Sequence, residues 1–268
     1  MKFPWQLRIG LFLIGSILLL AIAAPLIAPF DPTAIQLENR FLPPGTTNWF
    51  GTDQNGVDVF SEILFGAQVS LAIALSVVSI TLFVGLLLGS VAGFGGGLYD
   101  QLLMRFVDMI FGFPGFLLIL AIVAVLQEAS VPNMIFALCL TGWASYARLV
   151  RGEILHLKEK EHVLNALALG LPKWRILVFH IWPNLIGPLV IQASFGLAVT
   201  IITESSLSFL GLGVSPKTPT WGSLLGAGRQ YLIEAPHLSF FPGLFIVLLV
   251  LGFNLLGDGL RETLDPKK

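Results

Sequence analysis

Hydropathy along this chain is organised in long apolar blocks separated by short polar ones. Crossing a bilayer as a helix takes about 20 largely apolar residues. Six stretches meet or approach that length, at residues 9–28, 69–94, 104–126, 131–150, 182–202 and 238–256. Between the fourth and fifth lies a block of different character, "HVLNALALGLPKWRILVFHIWPN", from His162 to Asn184. It reads as a helix, a break at Gly170-Leu171-Pro172, and a second helix. Glycine tolerates the positive φ that ends a helix, and proline is preset for the first turn of the next. The organisation expected is an N-terminal transmembrane helix (1–30), an extracytoplasmic segment (31–68), a core of five further spans (69–260) with the break at its centre (152–181), and a cytoplasmic tail (261–268). No internal repeat is visible, and the whole is read as one integral membrane domain.

Composition strengthens this reading. The 268 residues are 55% hydrophobic and only 12% charged, against roughly a quarter charged in soluble domains. A net charge of −1 offers no basic surface for nucleic acid. Lone Cys139, inside an apolar run, is read as packing. Lys2 and Arg8 precede the first apolar stretch, whose length exceeds the 7–15-residue core of a cleavable signal, so an uncleaved signal-anchor is expected. With the N-terminus inside, twelve of the fifteen Lys and Arg fall on the cytoplasmic side, leaving Arg40, Lys217 and Arg229 outside. The positive-inside rule then puts both termini and the 162–184 block in the cytoplasm. The outer segments, about 31–68 and 212–237, are rich in turn-forming residues and read as ordered turns and short helices.

Several chemistries are missing. No GxxxxGK[ST] loop is present to cradle phosphates, and the four histidines form no HxxxH pair or His/Cys cluster for a metal. Asp53-Gln54-Asn55-Gly56-Val57-Asp58 carries its glycine at the fourth position, where a calcium loop needs it at the sixth, so an Asn-Gly turn accounts for it better. No catalytic, cofactor-binding or metal-binding residue is assigned. Ionisable groups within spans are functional candidates by default. Asp108 can meet Arg105 on one helix face and Asp258 can meet Arg261 in the same way. Glu204, in "TESSLSFLGLG", lies within reach of Ser205, Ser206 and Ser208. Asn254 completes this set of structural or pathway candidates. Gly85, Gly89 and Gly93 share a helix face and allow close backbone approach, either within the chain or to a partner. Gly112, Pro114 and Gly115 should kink the third span.

A cytoplasmic helix–break–helix cannot by itself bury Leu164, Leu167, Leu169 and Trp174. It therefore reads as a docking element through which a soluble subunit could push on the flanking spans. Alternatives of other classes are an ion-driven secondary transporter relying on Glu204 and a non-transporting membrane scaffold.

The blocks "FGTDQNGVDVFSEILFGAQVSL" (50–71), "MRFVDMIFGFP" (104–114), "YARLVRGEIL" (146–155), "ALALGLPKWRILVFHIWPN" (166–184), "ESSLSFLGLGV" (204–214), "PTWGSLL" (219–225) and "FNLLGDGLRETLDP" (253–266) carry a resemblance to a family. The chain resembles the C-type permease subunits of bacterial ABC importers for dipeptides, oligopeptides and nickel, and the resemblance runs from about residue 24 onward. It implies an all-α type I importer transmembrane domain with six spans in the bacterial plasma membrane, contacting membrane lipid. It also implies a sister permease, two cytoplasmic ATPase subunits that use ATP and Mg, and an extracytoplasmic solute-binding protein, with a peptide as the first expected cargo and nickel or another small solute as the alternative. The family's EAA-type coupling helix maps onto Glu161, Leu164, Asn165, Ala166, Gly170 and Pro172. Leu164-Asn165 stands where the family has Glu-Ala, so docking is expected to use shape and apolar contact, with Glu159 or Glu161 as substitute carboxylates. Val57, Glu62 and Gln68 stand where the family has arginines.

Overall fold

A computed structural model describes residues 4–215 and 218–264. Lys2, Lys217, Lys267 and Lys268 of the charge count, and the tail from residue 265, lie outside the described residues. Those residues are helical apart from turns and one isolated bridge between Thr52 and Asp58. The helices are α1 (Trp5–Ile22), α2 (Ala24–Ile27), α3 (Val59–Ser90), α4 (Gly97–Gly112), α5 (Gly115–Leu126), α6 (Val131–Leu157), α7 (Glu161–Ala168), α8 (Lys173–Ile176), α9 (Trp182–Phe209), α10 (Trp221–Gly228) and α11 (His237–Leu264).

Among the described residues, four helical runs are long and apolar enough to cross a membrane: Trp5–Ile22, Val59–Gly95, Lys173–Phe209 and His237–Leu264. The stretch at 104–126, expected as one kinked span, is divided between two helices. α4 and α5 meet at a 90° bend, because Phe113 and Pro114 take extended backbone and proline cannot continue the helical hydrogen-bond ladder. Counted as one crossing, the bent pair makes a fifth. α6 is long enough for another, yet it carries Asn133, Arg148 and Arg151 and is less apolar than the four.

Caps explain several boundaries. Asp58 Oδ2 accepts from the Ser61 amide and hydroxyl at 2.9 and 2.8 Å, starting α3 ten residues before its apolar block becomes obvious. A side-chain oxygen at this position satisfies one of the helix's free N–H groups. Thr220 and Ser223 form a reciprocal capping box at the head of α10. At its other end α3 widens into a π-turn (Val91–Gly95), and Gly96 and Gly97 both take φ of +64°, which separates α3 from α4.

The glycine face of α3 packs within the chain, against α6. A Cβ on Gly89 would lie 2.6 Å from Ala147 O and 2.8 Å from Val150 Cβ, and one on Gly93 would lie 3.0 Å from Ile154 Cβ. α1 approaches α11 as closely: a Cβ on Gly10 would sit 2.7 Å from Leu256 N. Without a hydrophobic driving force in lipid, such close packing is the main attraction between helices. α9 packs against both α3 and α11, and Trp221 of α10, fully buried, donates its indole N–H to Ile63 O at 3.0 Å. Cys139 packs beside Ile73, Val77 and Leu138, as its apolar setting indicated.

Candidate functional site

The block from residue 161 folds as a short amphipathic helix, a tight reversal and a helix that runs on into a span. α7 spaces its apolar residues so that Val163 and Ala166 turn inward and are buried, where they join Ile154, Ile176 and Ile181 in one cluster. Leu164 and Leu167 turn outward, 50% and 41% exposed. At the helix end the Gly170 N–H donates to Leu167 O (3.0 Å) and the Leu171 N–H to Ala166 O (3.2 Å). This double closure needs a left-handed residue at its centre, and Gly170 has φ +73°. Pro172 then heads α8 from the N-cap position, and a π-turn (Leu177–Ile181) joins α8 to α9. Leu169 and Trp174, 80% and 63% exposed, extend the outward apolar stripe, which Glu161, His162 and Asn165 border, all exposed.

The end of α6 that leads into this element is clamped to the neighbouring helices. Arg151, two turns before the end of α6, grips Asp100 of α4 with Nε at 2.5 Å and Nη2 at 2.7 Å. Lys158 Nζ donates to Gly93 O and Phe94 O at 3.3 and 3.4 Å, covering the carbonyls where α3 ends. Two planar, parallel N–H···O bonds fix an arginine–carboxylate pair in orientation as well as distance. These bonds tie the end of α6, from which α7 follows, to both α3 and α4. These partners, 51 and 65 residues apart in sequence, left no local signal.

The other candidates fall elsewhere. Asp108 does not pair with Arg105; it meets Arg148 Nη2 at 2.5 Å on the exposed side of α6. The bend that lays α4 beside α6 brings Arg148 to it. No ion pair joins Asp258 to Arg261, and both are exposed on α11. Asn254 is half-buried on the same helix. Glu204 is 1% exposed and is held by hydroxyls: Ser208 Oγ donates at 2.8 Å, Ser205 Oγ at 3.4 Å and Ser70 Oγ at 3.5 Å. Ser206 instead bonds its own helix at Ile202 O. Glu204 thus ties α9 to α3 inside the packed bundle. No group of three or more His, Cys, Asp or Glu side chains with metal-binding geometry occurs among the described residues.

The described residues thus form a polytopic helical membrane protein with an exposed apolar stripe on a short helical element between two long helices. Comparison with known proteins makes this specific. Residues 85–268 match the family described as binding-protein-dependent transport system inner membrane component, and residues 8–44 match the N-terminal TM domain of oligopeptide transport permease C. The chain belongs to this family of ABC importer permeases. It is 40% identical over 259 residues to the dipeptide transport system permease protein DppC of Alkalihalophilus pseudofirmus, and 38% identical over 259 residues to the oligopeptide transport system permease protein OppC of Bacillus subtilis. In both, the match covers 97% of this chain and 85% of the relative. It is 43% identical over 252 residues to the glutathione transport system permease protein GsiD of Escherichia coli O157:H7, covering 94% and 83%.

Proposed function

We propose that this chain is a permease subunit of a peptide importer, forming half of a translocation path with a homologous sister permease. The chain crosses the membrane six times, as α1, α3, the bent α4/α5 pair, α6, α9 and α11. Both termini and α7 lie in the cytoplasm, consistent with the distribution of Lys and Arg. α7 and α8 form the coupling element, seated in a groove on a cytoplasmic ATPase subunit through Leu164, Leu167, Leu169 and Trp174, with Glu161 on the rim. Ala166 is the small inward residue that lets α7 lie close to the bundle, and Gly170 and Pro172 set the reversal. Two ATPase subunits and an extracytoplasmic binding protein complete the machine. ATP binding closes the ATPase pair and moves the coupling elements; the clamps from Arg151 and Lys158 carry that motion into the spans, and the path turns outward until hydrolysis resets it. Nothing in this chain hydrolyses ATP. Peptide cargo is the reading favoured by the relatives named for dipeptide, oligopeptide and glutathione transport.

The observation that carries this reading is an apolar stripe left in solvent on a helix whose other face is fixed to the bundle. Its test is purification of the detergent-solubilised protein from its native membrane, with and without Gly170→Asp. Copurification of an ATPase and a second permease, with ATPase activity lost or uncoupled by the substitution, is the expected result. A chain that purifies alone would overturn it.

A further inference from the structure

The outer face holds a cavity of about 500 Å³ between the 31–58 segment, the head of α3, α10 and the start of α11. Its walls are mostly apolar, with Ile35, Val59, Leu224 and Leu238 among them. Three carboxylates stand close together here, and two are fully engaged by the chain. Asp53 accepts from the Val57 and Asn55 backbone N–H groups at 2.7 and 2.8 Å. Asp58 caps α3 and accepts from Asn48 Nδ2 at 2.9 Å. The third, Glu62, lines the cavity and is half-buried, and its carboxylate has no hydrogen bond or ion pair among the described residues. Gln54 lines the same cavity, and its Oε1 is a buried acceptor with no donor.

A carboxylate partly withdrawn from water beside two others is unfavourable without a counter-charge, and an orphaned acceptor in the same wall calls for a donor. A metal ion does not fit, because one free carboxylate among apolar walls cannot replace the six or more oxygens of a hard cation. A primary ammonium on an aliphatic stem does: it is a compact charge with three N–H donors, and its stem suits the apolar walls. We propose that this cavity is an entry-side subsite for a primary ammonium group of the transported solute, with Glu62 as the counter-charge and Gln54 Oε1 as a second acceptor. This rests on the peptide-importer reading, in which the α-ammonium of a peptide supplies the group.

The test uses the assembled complex with Cys139→Ala and a reporter Thr33→Cys at the exposed rim. Labelling rates with 2-aminoethyl and 2-sulfonatoethyl methanethiosulfonate are compared. The aminoethyl reagent should react faster by about tenfold, within the range for electrostatic focusing in a cleft. Glu62→Gln should remove most of that preference while leaving elution and ATPase copurification unchanged. Alanyl-alanine should slow labelling, N-acetyl-alanyl-alanine should not, and Gln54→Leu should weaken the protection. A preference unmoved by Glu62→Gln would overturn the proposal. So would protection given only by the binding protein, or a response to Glu62→Gln that disappears in a Lys217→Gln background, which would assign the cation to a protein side chain. Absence of a copurifying ATPase, read before any labelling, would instead sink the importer reading.

Discussion

Replacing Gly89 with alanine adds one methyl group where α3 crosses α6. An ideal Cβ there would lie 2.6 Å from Ala147 O and 2.8 Å from Val150 Cβ, so it falls 0.8 and 0.6 Å short of the 3.4 Å at which ordinary contact begins. The obstructing Ala147 O is backbone and cannot rotate away. α3 and α6 must therefore separate along a face that also carries Gly85 and Gly93. Overpacking of this kind costs about 1–3 kcal/mol, against a gain of up to about 1 kcal/mol from replacing a helical glycine by alanine. Gly15→Ala in α1 isolates the second effect, because nothing lies within 4 Å of its Cβ. Gly89→Ala should thus lower the unfolding midpoint of the detergent-purified protein while Gly15→Ala raises it slightly, as read by fluorescence-detected size exclusion after heating. If the two variants shift the midpoint equally, the crossing is looser than described and the close-packing argument fails.

Glu204→Gln should leave assembly and transport close to wild type, since an amide still accepts from Ser208. Loss of transport with assembly intact, and without dependence on an ATPase, would instead give Glu204 an ion-carrying role. Trp221→Ala empties a fully buried site and removes the donor to Ile63 O, a loss of about 3–5 kcal/mol, so the variant should fail to accumulate at growth temperature while Trp221→Phe accumulates at reduced level in membrane fractions. Burial pushes the Asp53 carboxyl above its usual 3.8, partly offset by the Val57 and Asn55 hydrogen bonds. Its protonated form therefore contributes stability in full below pH 3.8 that is lost as pH rises through the higher folded value, and Asp53→Asn should show a flatter midpoint-against-pH curve between acid and neutrality. Asp108→Asn breaks an exposed pair worth no more than about 1 kcal/mol and should be nearly silent, whereas Arg151→Lys, which cannot reproduce the two-pronged grip on Asp100, should in the proposed importer lower ATPase stimulation by substrate-loaded binding protein.

The all-helical class was legible because lipid forces apolar runs to satisfy their own backbone. The reversal at Gly170 was equally legible, since a Schellman closure is written in residues that are neighbours in the chain. What escaped was set by distance. "FGFPGF" announced a kink but not a right-angle turn, because the angle depends on where α4 comes to rest. The same turn redirected Asp108 from Arg105, three residues away, to Arg148, forty residues away. The start of α3 at Val59 depended on a cap whose acceptor, Asp58, reads equally well as a turn residue. The glycine face of α3 was visible as a pattern, but only the fold identifies its partner as α6.

In the proposed importer these long-range contacts are also what would make α7 and α8 a mechanical element. Had α7 hung from flexible loops, motion of a bound subunit would have been absorbed locally. Its inward residues Val163 and Ala166 instead share one buried cluster with Ile154 of α6 and Ile181 at the base of α9, and close-packed interiors transmit displacement with little compression. Lys158 holds the end of α3 and Arg151 holds α4, both within a few residues of the point where α6 gives way to α7. Force applied to the exposed stripe would thus reach four helices through packed side chains and charge-assisted bonds. In the proposed importer the glycine crossing between α3 and α6 would move as one body, which predicts that loosening it at Gly89 weakens coupling as well as stability.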